Sequence, residues 1–382
     1  MKTSSTSITR VVALLLALVM AIGLTACGNG TASDDTSTII DPETGTVTEV
    51  PSPNAGGKSW LDWGGWGKGN KDDGNKDSGT TPKADGHIPG TPRDSKPMNK
   101  NILKMVTNSY ADGKLTTLVK SVKTPSKYNG KTSSNDTNYG KVDWSTANQG
   151  YISFTAKGQE RCFILEGPNG KQTLCTVAKG TTIKMALVDG TGKYQYAIAN
   201  NTADRKSYNI QYKNSFNVSK IDSDLAPYLV STPWGDYDNA PNAVAKADEL
   251  WNTNKTQFDN VKEITHYVTS TLDYDEKLKT GTVDLYVNPD KVIDNGGGVC
   301  NEMAKTLVAM LRSQGVPAYL QCGKNSKGQA HGWVMAWLEA SSETKNGTTY
   351  STGTWILIEA TGGGLQSYSI SEKNYTPDQY RG

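Results

Sequence analysis

Beyond its first 25 residues the sequence of 382 residues has no long apolar run. No later segment can therefore form a membrane-spanning helix, which needs about 20 apolar residues. Charge of one sign is also lacking: 40 Lys plus Arg stand against 38 Asp plus Glu, a formal net charge of +2. This excludes bulk electrostatic binding of nucleic acid. Cysteine is scarce, at 5 residues, and no two of them have zinc-ligand spacing. There is no phosphate loop and no dinucleotide fingerprint, and the Gly296 to Gly298 run lacks the strand and lysine that a phosphate site requires. No metal and no cofactor is expected. Histidine is scarcer still, at 3 residues, so each can be placed individually.

At the N-terminus, Lys2 and Arg10 precede a short apolar stretch from Val11 to Gly23. That length suits a signal-peptide core and is too short to span a bilayer. The stretch ends in Leu24-Thr25-Ala26-Cys27, which resembles the bacterial lipobox. The resemblance implies cleavage after residue 26 and a diacylated Cys27 that anchors the chain to the outer face of the cell membrane. Residues 27–97 are mostly Gly, Ser, Thr, Asp, Lys and Pro, too poor in clustered aliphatic residues to offset the entropy of folding. They are expected to be a disordered tether. Trp60, Trp63 and Trp66 make a sticky patch within it, and His87 is a poor candidate for a preorganised site there. At about 100–200 residues per domain, the remainder divides into two: 98–220 and 221–382.

Between Val142 and Val218 short alternating runs such as Tyr151 to Phe154, Thr182 to Leu187 and Tyr194 to Ile198 are separated by Gly and Asn turns. This pattern predicts a small antiparallel β domain, preceded from residue 98 by an extension. One hairpin reads with register. If Pro168 and Asn169 form a two-residue loop, Cys162 lies across from Cys175 in a non-hydrogen-bonded pair, where Cα atoms are about 4.5 Å apart. That is within disulfide range, and an exported location favours the bond. The proline is the weak point, because its fixed negative φ excludes the primed turns that two-residue loops prefer. A three-residue loop with Gly170 as a bulge would shift the register by one and separate the two sulfurs. The redox context selects the Cys162–Cys175 disulfide as the expectation.

The C-terminal third opens with helices predicted near 243–251 and 258–272. On the second, Phe258, Val261, Ile264, Val268 and Leu272 share one face and His266 falls opposite, towards solvent. With His87 and His266 set aside by position, His331 is the histidine available as a general base. A helical period follows Cys300 and is ended by Gly315 and Pro317. Cys300 is thus at a helix N-terminus, where unpaired backbone N–H groups and the macrodipole favour thiolate over thiol. The glycines before it are expected to let a substrate backbone approach. His331 to Leu338 and Trp355 to Glu359 read as neighbouring antiparallel strands. A hairpin symmetric about Lys345 sets Met335 opposite Trp355 and His331 opposite Glu359, with Cβ atoms about 4.5–5.5 Å apart. Nucleophile, base and orienting carboxylate follow as Cys300, His331 and Glu359. Cys322, on a strand from Ala318 to Gly323, is expected to be a packed core thiol.

Four motifs in order carry a family resemblance: Gly298-Val299-Cys300-Asn301-Glu302-Met303-Ala304, Leu311 to Ala318, His331-Gly332-Trp333, and Trp355 to Thr361. With the upstream Ile264 to Asp275 segment, they resemble the transglutaminase-like superfamily over about Val261 to Thr361. The resemblance implies an α+β, papain-like core with Cys300, His331 and the position of Glu359 as its catalytic residues. Where that family usually has Asp-Pro-Thr, this chain has Glu359-Ala360-Thr361, with one more methylene and no proline. The expected function is extracytoplasmic thiol-dependent hydrolysis or acyl transfer on amides of a protein or cell-wall peptide. The backbone N–H of Cys300 is the expected oxyanion donor. The alternative is a catalytically silent surface binding or adhesion lipoprotein.

Overall fold

The computed structural model describes residues 36–40, 47–51, 86–110, 114–124, 126, 128, 130, 132–201, 208–275, 287–362, 364–365 and 375–381. The expected signal segment, Cys27 and the Trp60 to Trp66 patch lie outside the described residues. Strands β1 (Thr36–Ile40) and β2 (Val47–Pro51) pair antiparallel in a unit of their own, residues 30–83. The description below concerns the other unit.

The tether expected to reach Pro97 gives way at Gly86 to an ordered strap on the C-terminal helices. His87 Nε2–H donates to Ser313 O at 2.9 Å, and Arg93 pairs with Asp248 at 2.7 Å. Gly315, at φ +73, has no room for a Cβ, which would lie 2.2 Å from Thr91 O. Next come α1 (Lys100–Tyr110), capped by Asn99 Oδ1, and β3 (Thr116–Val122).

Eight strands then form two four-stranded antiparallel sheets: β4 (Ser134–Asp136), β5 (Gly140–Asp143), β6 (Tyr151–Ala156), β7 (Arg161–Glu166), β8 (Gln172–Val177), β9 (Thr182–Ala186), β10 (Gly192–Asn201) and β11 (Tyr208–Val218). Their orders are β4-β5-β6-β9 and β11-β10-β7-β8. Alternate residues of each strand face inward, as the period of two requires. Phe154 of one sheet stacks on Phe163 of the other, ring centroids 4.4 Å apart.

The β7–β8 hairpin corrects the expected Cys162–Cys175 disulfide. Gly167 and Lys171 close a three-residue loop, with Gly170 N–H donating to Gly167 O at 3.0 Å and Gly170 at φ +78. Pro168 imposes this geometry, since its φ suits an unprimed turn followed by a left-handed glycine. Register therefore moves by one: Phe163 faces Cys175, and Cys162 faces Thr176. The sulfurs point to opposite faces. Cys175 packs between the sheets with Phe163, Cys162 packs with Ile164, Ala197 and Ala199, and no disulfide joins them.

After this comes α2 (Pro241–Leu250), then α3 (Gln257–Thr271), whose first turn is capped by Thr256 Oγ1 accepting from Asp259 N–H at 3.1 Å. Phe258, Val261, Ile264, Val268 and Leu272 are all buried and His266 is exposed, as the helical period predicts. The short β12 (Asp273–Tyr274), α4 (Pro289–Asp294) and β13 (Gly297–Gly298) lead to α5 (Cys300–Ser313). All of α5 except Glu302 is buried. It lies against β14 (Ala318–Asn325) and β15 (Ala330–Lys345) on one side and α2, α3 and α4 on the others. Leu307, Val308 and Leu311 meet Leu320, Val334 and Ile356 in one core, each such side chain contributing roughly 1.5–3 kcal/mol. Arg312, fully buried, ties the helix end down by donating to Ala318 O and Val230 O.

The sheet is completed by β16 (Thr348–Glu359), β17 (Gly364–Leu365) and β18 (Tyr375–Arg381), in the order β17-β16-β15-β14-β18. β3, assigned by sequence to the preceding domain, pairs with β16 instead. This unit is thus α+β, with a helix-and-sheet part that carries Cys300 and an antiparallel sandwich joined to it through one core.

The β15–β16 hairpin also departs from the expected symmetry. Its turn is Asn346-Gly347, both at positive φ (49° and 79°), the pattern of a primed two-residue turn. Ala340 is an extra residue between the Glu339–Gly353 and Ser341–Thr352 pairs. Met335 therefore faces Leu357 rather than Trp355, a slip of two positions. Because side chains alternate with period two, this slip keeps His331 and Glu359 on the same side of the sheet.

Candidate active site

The approach to Cys300 is built from backbone packed on backbone. β12 and β13 run parallel, Asp273 beside Gly297 and Tyr274 beside Gly298, and Asp275 N–H donates to Gly298 O at 3.1 Å. A Cβ on Gly297 would fall 1.9 Å from Asp273 O. The space at Gly297, expected to admit a substrate, is filled by the chain's own segment. This packing explains why the Leu272 to Asp275 motif accompanies the cysteine.

Val299, extended at φ −90 and ψ 172, precedes the helix. It has no side-chain acceptor, so only half of a capping box forms: Glu302 Oε2 accepts from Val299 N–H at 3.1 Å. Cys300 is the first helical residue and 8% exposed. Gly332 of β15 lies over the start of this helix, where a Cβ would sit 3.6 Å from Asn301 Cα. The close approach brings the beginning of β15, and with it His331, to the sulfur.

His331 Nε2–H donates to Glu359 Oε2 at 2.6 Å, and the ring also hydrogen-bonds the Cys300 side chain. With Nε2 engaged by the carboxylate, Nδ1 is the nitrogen left for sulfur. Burial alone would push the His331 pKa down. The hydrogen bonds to Cys300 and Glu359, with the electrostatic attraction of those groups, outweigh it and hold the imidazole up to about 10. Glu359 is shaped by the same contest. Burial would raise its pKa, whereas the bond and charge of His331 and two hydrogen bonds from Thr361 hold it below its ordinary value. The Trp333 ring flanks the imidazole, centroids 6.4 Å apart. Such a site keeps the His331 ring protonated beside the Glu359 carboxylate and next to the Cys300 side chain.

Of the sequence-derived candidates, the structure brings Cys300, His331 and Glu359 together. Cys162 and Cys175 lie in the sandwich, and Cys322 is fully buried in the core opposite Gly332. Among the described residues, no group of three or more His, Cys, Asp or Glu side chains is arranged to hold a metal ion. A cavity of about 390 Å³ between the strap and the sheet is lined by Lys96, Lys120, Trp337 and Glu339, among others, and includes none of the three. Two neighbours of the site carry no role in the sequence reading. Asn301 is 1% exposed, and its Oδ1 and Nδ2 have no hydrogen-bond partner among the described residues. Its sequence signal is only its place beside Cys300. Thr361 closes the last of the four motifs and bonds Glu359 twice.

Residues 244–360 match the family model of the transglutaminase-like superfamily. None of the curated proteins matches the chain. Among solved structures, a cysteine-protease candidate from Cytophaga hutchinsonii is similar at 13% identity, covering 61% of this chain and 86% of that one, with a TM-score of 0.31. The periplasmic domain of TgpA from Pseudomonas aeruginosa, bound to ethylmercury, is similar at 15% identity, covering 70% and 95%, with a TM-score of 0.26. A TGase is similar at 20% identity, covering 36% and 35%, with a TM-score of 0.25. The segment that presents Cys300 on a helix N-terminus and His331 and Glu359 on adjacent strands is a domain of the transglutaminase-like superfamily.

Proposed function

We propose that this chain is a thiol-dependent enzyme acting on carboxamide or peptide bonds, with Cys300 as nucleophile, His331 as acid and base, and Glu359 as the group that orients His331. The observation that supports it is the imidazole of His331 bonded on one side to Glu359 and on the other to Cys300. The Cys300 sulfur anion attacks the carbonyl carbon and the carbonyl π electrons move to oxygen. The backbone N–H of Cys300, in the unpaired first turn of α5, is the donor for that oxyanion. The tetrahedral adduct collapses, the C–N bond breaks, and the His331 imidazolium protonates the leaving amine. Neutral His331 then takes a proton from water or an incoming amine as it attacks the thioester, and the Cys300 anion departs.

Water as acceptor makes the enzyme a peptidase or amidase, and an amine acceptor makes it a cross-linking acyltransferase. Both use the same three residues. The lipobox-like Leu24 to Cys27 supports an address on the outer face of the cell membrane, where wall peptides and surface proteins supply the amides. The test is alkylation by iodoacetamide at neutral pH, read by mass mapping, with wall peptides and a labelled amine supplied in parallel. Cys300 is expected to label far faster than Cys322, and product to appear as free acid or amine adduct. Equal, slow labelling of both cysteines with no product would reject the proposal in favour of a binding protein.

A further inference from the structure

Glu359 ends β16, whose ladder with β15 closes on the pair of Val334 with Ile358. Continued by one step, the register sets Glu359 opposite Trp333 and leaves His331 on the diagonal, where residues are about 7–8 Å apart, Cβ atoms somewhat less, rather than about 5 Å. A longer carboxylate side chain suits this longer span, at the cost of an additional torsion that must be fixed. Two hydrogen bonds fix it. Thr361 Oγ1–H donates to Glu359 Oε1 at 2.6 Å and Thr361 N–H donates to the same oxygen at 3.0 Å, which aims Oε2 at His331. The turn is itself held, because Ala360 between the two residues is fully buried and Glu359 pairs with Gly364 of β17.

We propose that Thr361 is a positioning residue that acts through Glu359, so that the third member of the site is a glutamate–threonine pair in which threonine sets the direction of the carboxylate. This rests on the thiol-enzyme reading above for its catalytic meaning, but its geometry can be tested apart from turnover. Thr361→Val removes the hydroxyl donor and keeps the shape, and Thr361→Ser keeps the donor. The first measurement is the titration of the His331 ring by NMR in the full chain. Because a hydrogen bond to a charged group is lost, Thr361→Val is expected to lower the His331 midpoint by about half a unit to one unit. Thr361→Ser should leave it within about 0.2 unit of the parent. In a Glu359→Gln background, Thr361→Val should change nothing further.

Where turnover is measured, kcat should fall roughly tenfold in Thr361→Val, with KM little changed. An unmoved His331 midpoint in Thr361→Val, an equal shift in Thr361→Ser, or additivity with Glu359→Gln would each overturn the role given to Thr361. Failure of the thiol-enzyme reading registers elsewhere: a chain without product or selective Cys300 alkylation can still show, or lack, the threonine-dependent titration.

Discussion

Replacing Glu359 by aspartate keeps the charge, restores the residue usual in the family, and is expected to impair the site. The substitution removes one methylene and shortens the reach by about 1.5 Å. Oε2 now lies 2.6 Å from His331 Nε2. An aspartate on the same backbone leaves a gap of about 4 Å, too long for a hydrogen bond. At an effective dielectric constant of about 20, the attraction between unit charges falls from about 6 to about 4 kcal/mol over that change. The lost 2 kcal/mol corresponds to roughly 1.5 pKa units. His331, held up to about 10 in the parent, would then titrate near about 8.5. The imidazolium is present below the midpoint and lost as pH rises through it, so the effect belongs to the alkaline limb. At pH 9 the charged population falls roughly fourfold, and at pH 7 it is almost unchanged.

The assay is kcat/KM against pH, or the rate of Cys300 alkylation against pH, beside NMR titration of the ring. With 3 histidines in the chain, His87→Gln and His266→Gln assign the His331 resonance. An aspartate variant with the parent's alkaline limb and the parent's ring titration would refute the length-matching argument.

His331→Ala is expected to bring the alkylation rate of Cys300 down by an order of magnitude or more towards that of an ordinary thiol while leaving the thermal melt nearly unchanged; retained fast labelling would show that the imidazole does not activate the sulfur. Gly297→Ala drives a Cβ to 1.9 Å from Asp273 O, a backbone atom that cannot rotate away. A loss of about 3 kcal/mol in urea unfolding is expected, and a parental midpoint would mean that β12 and β13 are not packed as described. Denaturation in iodoacetamide without reductant should add a carbamidomethyl group to each of Cys162 and Cys175; a cross-linked peptide in their place would overturn the β7–β8 register.

Much of the site is legible in the chain because its cues are local. The helical period that begins at Cys300 and stops before Gly315 is written in consecutive residues, and the helix runs Cys300–Ser313. His331 emerges by elimination, and His87, placed by sequence in a tether, is ordered in the strap and bonded to Ser313 O, away from the site. The strap and β3 were not legible, since their partners lie far along the chain, at Ser313 and Thr348–Gly353, and nothing in Gly86–Pro97 or Thr116–Val122 marks those surfaces. Asn301 is likewise invisible, because burial of one amide depends on what is folded over it.

The amino-acid order alone determined where α2, α3, α5 and the cores of β14, β15 and β16 fall, that cysteine begins a helix, and that histidine and glutamate occupy one side of adjacent strands. Tertiary structure decided register. The Asn346-Gly347 turn and the bulge at Ala340 together slip one hairpin by two residues, which preserves faces, so the His331–Glu359 contact survives an incorrect pairing. Pro168 slips the other by one, which exchanges faces and parts Cys162 from Cys175. Side-chain alternation is a property of each strand by itself, whereas the pairing of two strands depends on the turn and bulge that join them, and the reach of Glu359 to His331 is set only when both are in place.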